Sequence, residues 1–299
     1  MKVVVFGGCG FLGSWLIKKL LENNLDVVVF DKEINKNLLK KIIKLSSNKI
    51  DFIKGDITNY NQVFMASQKG EVLVNLAGLM TPDCSQNPII GNAVNVVGSI
   101  NVFEAAKNQN NKYVIFTSSG GVFGRNDPKT PFPETHYGAF KLAVEGIARA
   151  LYLENKFSTF GLRPFVIYGP GREIGGTAGI TLACRASAEN KNYVIPFSGK
   201  AGFVYIEDVT EIIFRLTQNQ PKGANIVNVN GISCNISKVI KILSKINKKN
   251  KISFKSNNLP VVGEIFGNSP KNYFKDFEFT CLDSGIMKTV NFYKVSRGE

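Results

Sequence analysis

A chain of 299 residues with 44 % apolar side chains can bury one large core, or one core with a smaller lobe attached. No window reaches about 18 consecutive apolar residues, so the composition gives no support to a membrane span. The single histidine, His136, excludes a multi-histidine metal site within one chain, and five widely spaced cysteines with no C-x-x-C pair argue against zinc or a disulfide framework and fit a reducing cytoplasm.

The first two-thirds alternates β-branched runs with amphipathic helical patterns. The apolar start up to Phe6 is short and leads into Gly7 and Gly8, which reads as a strand and not a leader peptide. Strands are predicted at Lys2–Phe6, Asp26–Phe30, Asp51–Lys54, Val72–Leu76, Tyr113–Thr117 and Thr159–Arg163. Helices are predicted between them at Phe11–Glu22, Asn37–Leu45, Tyr60–Ser67, Asn92–Lys107 and Gly138–Leu153. Val3-Val4-Val5 and Val27-Val28-Val29 are apolar on both faces, as strands covered by crossover helices must be. The pattern predicts a Rossmann-type, doubly wound parallel sheet.

Beyond about residue 164 the elements shorten. Turn clusters at Tyr168-Gly169-Pro170-Gly171 and at 175–179 precede a helix near Ile180–Glu189, strands near Tyr193–Ile195 and Gly202–Ile206, and helices near Asp208–Thr217 and Ser237–Ile246. Residues 1–165 are expected to form the dinucleotide-binding domain. Residues 166–299 are expected to be mainly a small C-terminal substrate-binding lobe, interleaved with late strands of the sheet. The net charge is +14, and Lys238–Lys255 holds seven lysines and no acid. With no arginine and one aromatic, Phe254, that stretch reads as a solvated helix face and not a nucleic-acid site.

Gly7, Gly10 and Gly13 follow a predicted strand and open a predicted helix, the setting in which a Gly-rich turn binds a dinucleotide. The first glycine permits a tight turn, the second lets a pyrophosphate approach the backbone, and the third lets the helix pack on the sheet. The free N–H groups near Phe11 and Leu12 and the helix dipole favour phosphate. Asp31, at the end of the second strand, is suited to the adenosine ribose hydroxyls and would repel a 2′-phosphate, which favours NAD; Lys32 beside it argues the other way. Asp56 is suited to the adenine amino group, Ile57 to the adenine ring, and the small residues of Leu76-Ala77-Gly78 to the room the adenosine and pyrophosphate need.

Tyr137 and Lys141 are four residues apart and share a helix face. A phenol titrates near pH 10, too high for a general base, and a neighbouring ammonium favours the phenolate. Ser119 ends the fifth predicted strand and is placed to hydrogen-bond a substrate oxygen. The three together suit proton transfer coupled to hydride transfer.

With these residues in view, the chain resembles the extended short-chain dehydrogenases/reductases, specifically the NAD-dependent epimerase/dehydratase family. The resemblance rests on the Gly7–Gly13 turn, Asp31, Gly55-Asp56-Ile57, Asn95 to Ser99, Ser118-Ser119 with Val122-Phe123-Gly124, the Tyr137/Lys141 pair, Leu162-Arg163-Pro164, Tyr168 to Gly171 and Phe203 to Asp208. It implies that Tyr137 is the acid/base, Lys141 its electrostatic partner and Ser119 the third catalytic residue. It further implies Pro164 and Val166 beside the nicotinamide, Asn95 supporting the active-site helix, and a homodimer through the helices predicted at Asn92–Lys107 and Gly138–Leu153.

Departures from the family pattern bear on substrate. Val166 stands where similar sugar-nucleotide epimerases carry asparagine, and Met80 where galactose epimerases often carry lysine. Gly120 and Gly121 stand where dehydratases place an Asp-Glu pair, so dehydration lacks its acid and base. Arg172 faces the expected cleft, either as an anchor for a carboxylate or phosphate or as a surface residue. His136 reads as a polar residue at a helix entrance. Three functions remain open: an NAD-dependent oxidoreductase acting on a sugar, sugar acid or related polyol, a nucleotide-sugar 4-epimerase with tightly bound NAD, and a non-catalytic NAD sensor. Intact Ser119, Tyr137 and Lys141 argue against the last, and the loss of asparagine at Val166 favours the first.

Overall fold

The computed structural model describes residues 1–43, 49–125, 127–259 and 262–295. In chain order the first half runs β1 (Lys2–Phe6), α1 (Phe11–Glu22), β2 (Asp26–Asp31), α2 (Asn37–Ile42), β3 (Ile50–Lys54), α3 (Tyr60–Ser67) and β4 (Val72–Asn75). Two short helices, α4 (Thr81–Gln86) and α5 (Pro88–Asn92), lead through a π-helical turn at Ala93–Val97 into α6 (Gly98–Asn108). β5 (Tyr113–Thr117), α7 (His136–Asn155) and β6 (Thr159–Pro164) complete this half.

The central sheet has seven strands, all parallel, in the order β10-β6-β5-β4-β1-β2-β3, where β10 spans Ala224–Val229. Both faces are buried. Val3 and Val5 enter the core on one face with Val27 and Val29, while Val4 and Phe6 enter the core on the other with Val28 and Phe30. Burying every residue of such runs is what stabilises a parallel sheet sandwiched between helices. From β1 the chain winds outward to β3, then crosses back to β4. The carboxyl ends of β1 and β4 therefore face a crevice from which the connections diverge, the position where doubly wound sheets take ligands.

The second half runs β7 (Val166–Tyr168), α8 (Gly179–Ala188), β8 (Tyr193–Ile195), β9 (Lys200–Tyr205), α9 (Ile206–Asn219), then β10, β11 (Ile232–Asn235), α10 (Ile236–Ile246), β12 (Ile252–Phe254) and α11 (Leu282–Val295). β7, β9 and β11 form a three-stranded sheet, and β8 pairs with β12. β10 rejoins the central sheet beside β6, and α9 contributes Val209, Ile212, Ile213 and Leu216 to the central core. A second core gathers Tyr168, Ile180, Phe203, Tyr205, Val239, Leu243, Ile286 and Val290 around Trp15 of α1.

Several elements differ from the sequence expectation. The helix expected at Asn92–Lys107 begins earlier, at Pro88, where Asn87 accepts the N–H of Ile90, and it contains the π-helical turn. The whole run Pro88–Asn108 is long and apolar enough to cross a membrane by length and composition alone. Here Val102, Phe103, Ala105 and Ala106 bury one side of it against the sheet. Helix α2 ends at Ile42, and the expected end at Leu45 lies outside the described residues. Strand β10 was not expected because Asn225 and Asn228 interrupt its apolar pattern. Helix α11 lies outside the predicted elements, and its Gly285 packs so close to the Tyr168 hydroxyl that no Cβ would fit. The exposed lysines of α10 and its flank lie opposite Ile236, Val239, Ile242 and Leu243, which is a solvated helix face.

Candidate active site

A cavity of about 390 Å³ opens at the carboxyl ends of the central strands. Gly7, Gly10, Phe11, Leu12, Leu76, Gly78, Met80, Ser119, Gly120, Tyr137, Lys141, Pro164, Val166 and Arg172 all line it. Asp31, Lys32, Asp56, Ile57 and Ala77 stand outside its wall.

The turn after β1 is fixed by close approach. Gly7 has φ +77°, and a Cβ on it would lie 2.7 Å from the Ala77 nitrogen. A Cβ on Gly13 would lie 2.5 Å from the Gly7 carbonyl oxygen, so only glycine lets α1 start so near the sheet. Gly10 has no neighbour to a Cβ closer than 3.2 Å and faces the cavity. No side chain caps α1, and its first turn carries no acid, so its leading N–H groups are left for an anion. Asp31 accepts the Cys9 N–H at 2.9 Å through Oδ2, which holds the turn against the end of β2.

Lys32 is 3.2 Å from Asp56, so a carboxylate already faces the lysine that argued for a phosphate. The Thr58 N–H, with its hydroxyl and Lys32, holds the Asp56 carboxyl below the usual carboxylate range. Ile57 is 6 % exposed and packs against Gly98, where α6 comes too close for a larger residue.

The catalytic side is assembled by the start of α7. Thr135 caps this helix by accepting the Gly138 N–H at 3.1 Å. Gly138 packs directly on the Gly121 carbonyl, leaving no room for a Cβ, and this brings Tyr137 to the loop that holds Ser119. Ser119 Oγ accepts the Gly121 N–H at 3.0 Å. Lys141, one turn along, is 5 % exposed; its Nζ donates to the Thr117 carbonyl at 2.8 Å and lies 5.7 Å from the Tyr137 ring centroid. Burial lowers the Lys141 pKa from 10.5 to about 8. Burial also raises the Tyr137 phenol, while the Ser119 hydroxyl and the Arg172 charge pull it down.

Two buried networks brace this arrangement. Glu145 of α7 takes both an Arg163 pair from β6 and the Ser118 hydroxyl, tying α7 to the ends of β5 and β6. Asn95, in the π-helical turn, donates to the carbonyls of Leu79 and Gly91 at 3.2 and 3.0 Å. Its Oδ1 is buried with no partner among the described residues, and a Cβ on Gly78 would lie 2.7 Å from it and 3.4 Å from Lys141 Nζ. His136 is exposed beside Phe140 and does not line the cavity.

The sequence reading missed Thr81, Phe165, Ile167, Thr177 and Leu259, which also line the cavity. Phe165 was within reach, since both its neighbours were singled out. Leu259 comes from a loop of the distant lobe, and no local pattern marks it.

The residues present fit a dinucleotide. The turn offers uncapped amides and an open Gly10, Lys141 has amine hydrogens to spare, and Asp31 has a second carboxylate oxygen near the turn. The sequence model of the family described as "NAD dependent epimerase/dehydratase" matches residues 3–230. The chain belongs to the NAD-dependent epimerase/dehydratase family. It is thus an enzyme of the extended short-chain dehydrogenase/reductase type, and its cofactor is NAD. CDP-paratose 2-epimerase of Salmonella typhi is 27 % identical over 87 % of this chain and 88 % of its own length. Protein CapI of Staphylococcus aureus is 30 % identical over 75 % of this chain and 71 % of its own. In fold, the UDP-glucuronic acid 4-epimerase of Bacillus cereus, solved with UDP-glucuronic acid and NAD, superposes with a TM-score of 0.84 at 22 % identity, covering 99 % of this chain and all of that one.

Proposed function

We propose that this enzyme transfers a hydride at a hydroxyl-bearing carbon of a sugar, sugar acid or related polyol, with Tyr137 as acid/base. The observation that carries this reading is the convergence of Ser119, Tyr137 and Lys141 on one cavity whose opposite wall is the Gly7–Gly13 turn. NAD, when bound, would supply the group between which and the substrate carbon the hydride passes. Tyr137 takes the proton from the substrate hydroxyl, and the phenol gives it back in the reverse direction. Ser119 hydrogen-bonds the same substrate oxygen and orients it. Lys141 supplies the nearby positive charge that favours the phenolate, and its remaining N–H groups are suited to the nicotinamide ribose hydroxyls. Pro164 and Val166 present an apolar wall to the nicotinamide, and Asp31 is suited to the adenosine ribose.

A second reading, a nucleotide-sugar 4-epimerase, uses the same residues and is favoured by an alignment at 28 % identity over 70 % of the chain with the "Putative UDP-glucose 4-epimerase" of Methanocaldococcus jannaschii. The two separate in one assay. An oxidoreductase accumulates NADH, followed at its absorbance, when given excess NAD and its substrate. An epimerase interconverts UDP-glucose and UDP-galactose with no added cofactor and no net NADH. Interconversion without NADH would replace the first reading by the second.

Part of the same proposal is a homodimer in the cytoplasm. The five cysteines are free, and Ile89, Ile90, Val97 and Leu153 leave apolar side chains exposed along α5 to α7. Sedimentation as a monomer at micromolar concentration would remove the dimer.

A further inference from the structure

The cavity is lined from both halves of the chain, and α1 touches both. Its first turn carries the uncapped amides that suit the cofactor's phosphates. Phe11 opens the helix and Trp15 stands four residues on, so the two share a face. That face packs on the lobe: Trp15 is part of the lobe core and Phe11 lies against it, whereas Leu16 and Ile17 enter the core of the central sheet. Trp15 is the single tryptophan of the chain and is 6 % exposed. Its indole N–H reaches a partner 155 residues away, the Pro170 carbonyl, in a buried bond of 2.9 Å.

Pro170 sits in the turn that follows β7 and presents Arg172 to the cavity. The lobe holds this turn by its amides. The Gly169 N–H donates to Thr181 Oγ1 at 3.2 Å, and the Gly171 N–H to the Tyr293 hydroxyl at 3.0 Å. The nucleotide-binding half holds it by the carbonyl between them, through Trp15. Leu38 of α2 closes the same side, since a Cβ on Gly171, at φ +92°, would lie 2.5 Å from Leu38 Cδ1. The Phe11 ring stands 5.8 Å from Arg172 Cζ. A buried carbonyl without a donor is destabilising, so the indole is what lets the turn rest against α1. An apolar ring of the same size would fill the space and leave the carbonyl unsatisfied. One helical turn joins Phe11 to Trp15, so a ligand that restrains the first amides of α1 restrains the indole as well.

We propose that Trp15 is a positioning residue that links the cofactor seat to the substrate wall. NAD at the start of α1 steadies the helix, and the indole N–H passes that restraint to the turn from Gly169 to Arg172. The loaded enzyme therefore holds its substrate wall more firmly than the free enzyme, and cofactor and substrate favour each other's binding. The link goes beyond the function proposed above and does not depend on which hydroxyl compound reacts.

Because the chain has one tryptophan, biosynthetic incorporation of a tryptophan analogue alters residue 15 alone. Benzothienylalanine replaces the indole N–H by sulfur and keeps the ring shape, while 5-fluorotryptophan keeps the N–H. The test follows hydrogen exchange of residues 168–173 with and without saturating NAD, and NAD affinity by calorimetry. In the native and 5-fluorotryptophan proteins, NAD should slow exchange of the turn about 10-fold or more. In the benzothienylalanine protein NAD affinity should stay within about twofold, exchange at the start of α1 should still slow, and the turn should lose its response to NAD. A merely structural indole would lower the melting temperature of that protein and leave the response intact. An equal response in the benzothienylalanine protein overturns the proposal, as does a native turn that NAD does not protect. Loss of the response in the 5-fluorotryptophan protein also overturns it, since the N–H is still present there. So does a collapse of NAD affinity with α1 unprotected, which would make the indole part of the cofactor seat itself.

Discussion

One wall of the cavity is made of backbone and the other of side chains. The β1 side presents glycines, uncapped amides and the start of α1, all within one short stretch of chain. The far side is lined by Arg172, Phe165, Ile167 and Leu259, which come from separate loops and strands. A backbone site follows from local conformational rules and stays the same whatever the substrate. A side-chain site depends on what tertiary packing brings together, so it can change without disturbing the cofactor side. Tyr137 stands between the two, on a helix whose entry is fixed by Gly138 against Gly121.

The largest effect expected at this boundary is at Tyr137. Tyr137→Phe should lower turnover about 1,000-fold while calorimetry shows unchanged NAD binding. Substantial residual turnover would end the acid/base assignment and leave the two walls without a chemical link.

Lys141 sharpens the comparison differently, because it belongs to both walls and weighs on the fold. Its pKa falls from 10.5 unfolded to about 8 folded, so the protonated amine is disfavoured in the native state. The penalty is complete below pH 8 and lifts as pH rises from 8 towards 10.5, a window in which the protein without NAD gains stability from this group. At pH 7 it is on the order of 3 kcal/mol. The lost bond to the Thr117 carbonyl offsets about 1 kcal/mol of that in a variant. Lys141→Met should therefore raise the melting temperature at pH 7, flatten the rise between pH 8 and 10.5, and abolish turnover. A melting temperature that falls would mean that the ammonium has a stabilising role here.

The smallest effect is on the cofactor side. Asp31→Ala should weaken NAD binding about 10-fold and leave NADP binding nearly unchanged, measured by titration of both. Equal losses for the two would show that Asp31 serves the backbone N–H groups of Cys9 and Glu33 and not the ribose.

What could be read from the sequence follows the same division. β1, α1, α3 and β5 were placed to the residue because their rules are local: apolar runs, a glycine turn and helical periodicity. Tyr137, Lys141 and Ser119, which line one cavity, could be singled out for the same reason. The depth of Ile57 was not legible because it is set by Gly98, 41 residues away, where α6 packs against it. Arg172 was visible as a residue, but its placement was not. That depends on Trp15, Thr181 and Tyr293 holding its turn. The π-helical turn at Ala93–Val97 left no periodic signature that five residues could reveal.

The return of β10 to the central sheet bears on how the chain reaches this state during synthesis. Until Val229 has emerged, β6 has an unpaired edge and the core lacks Val227, Val229 and the α9 side chains. A nascent chain that ends near residue 165 already contains the complete nucleotide-binding turn, yet it exposes a strand edge ready to pair with other chains. The half that looks self-sufficient is thus the aggregation-prone one, and it is protected only when the later half threads back through it.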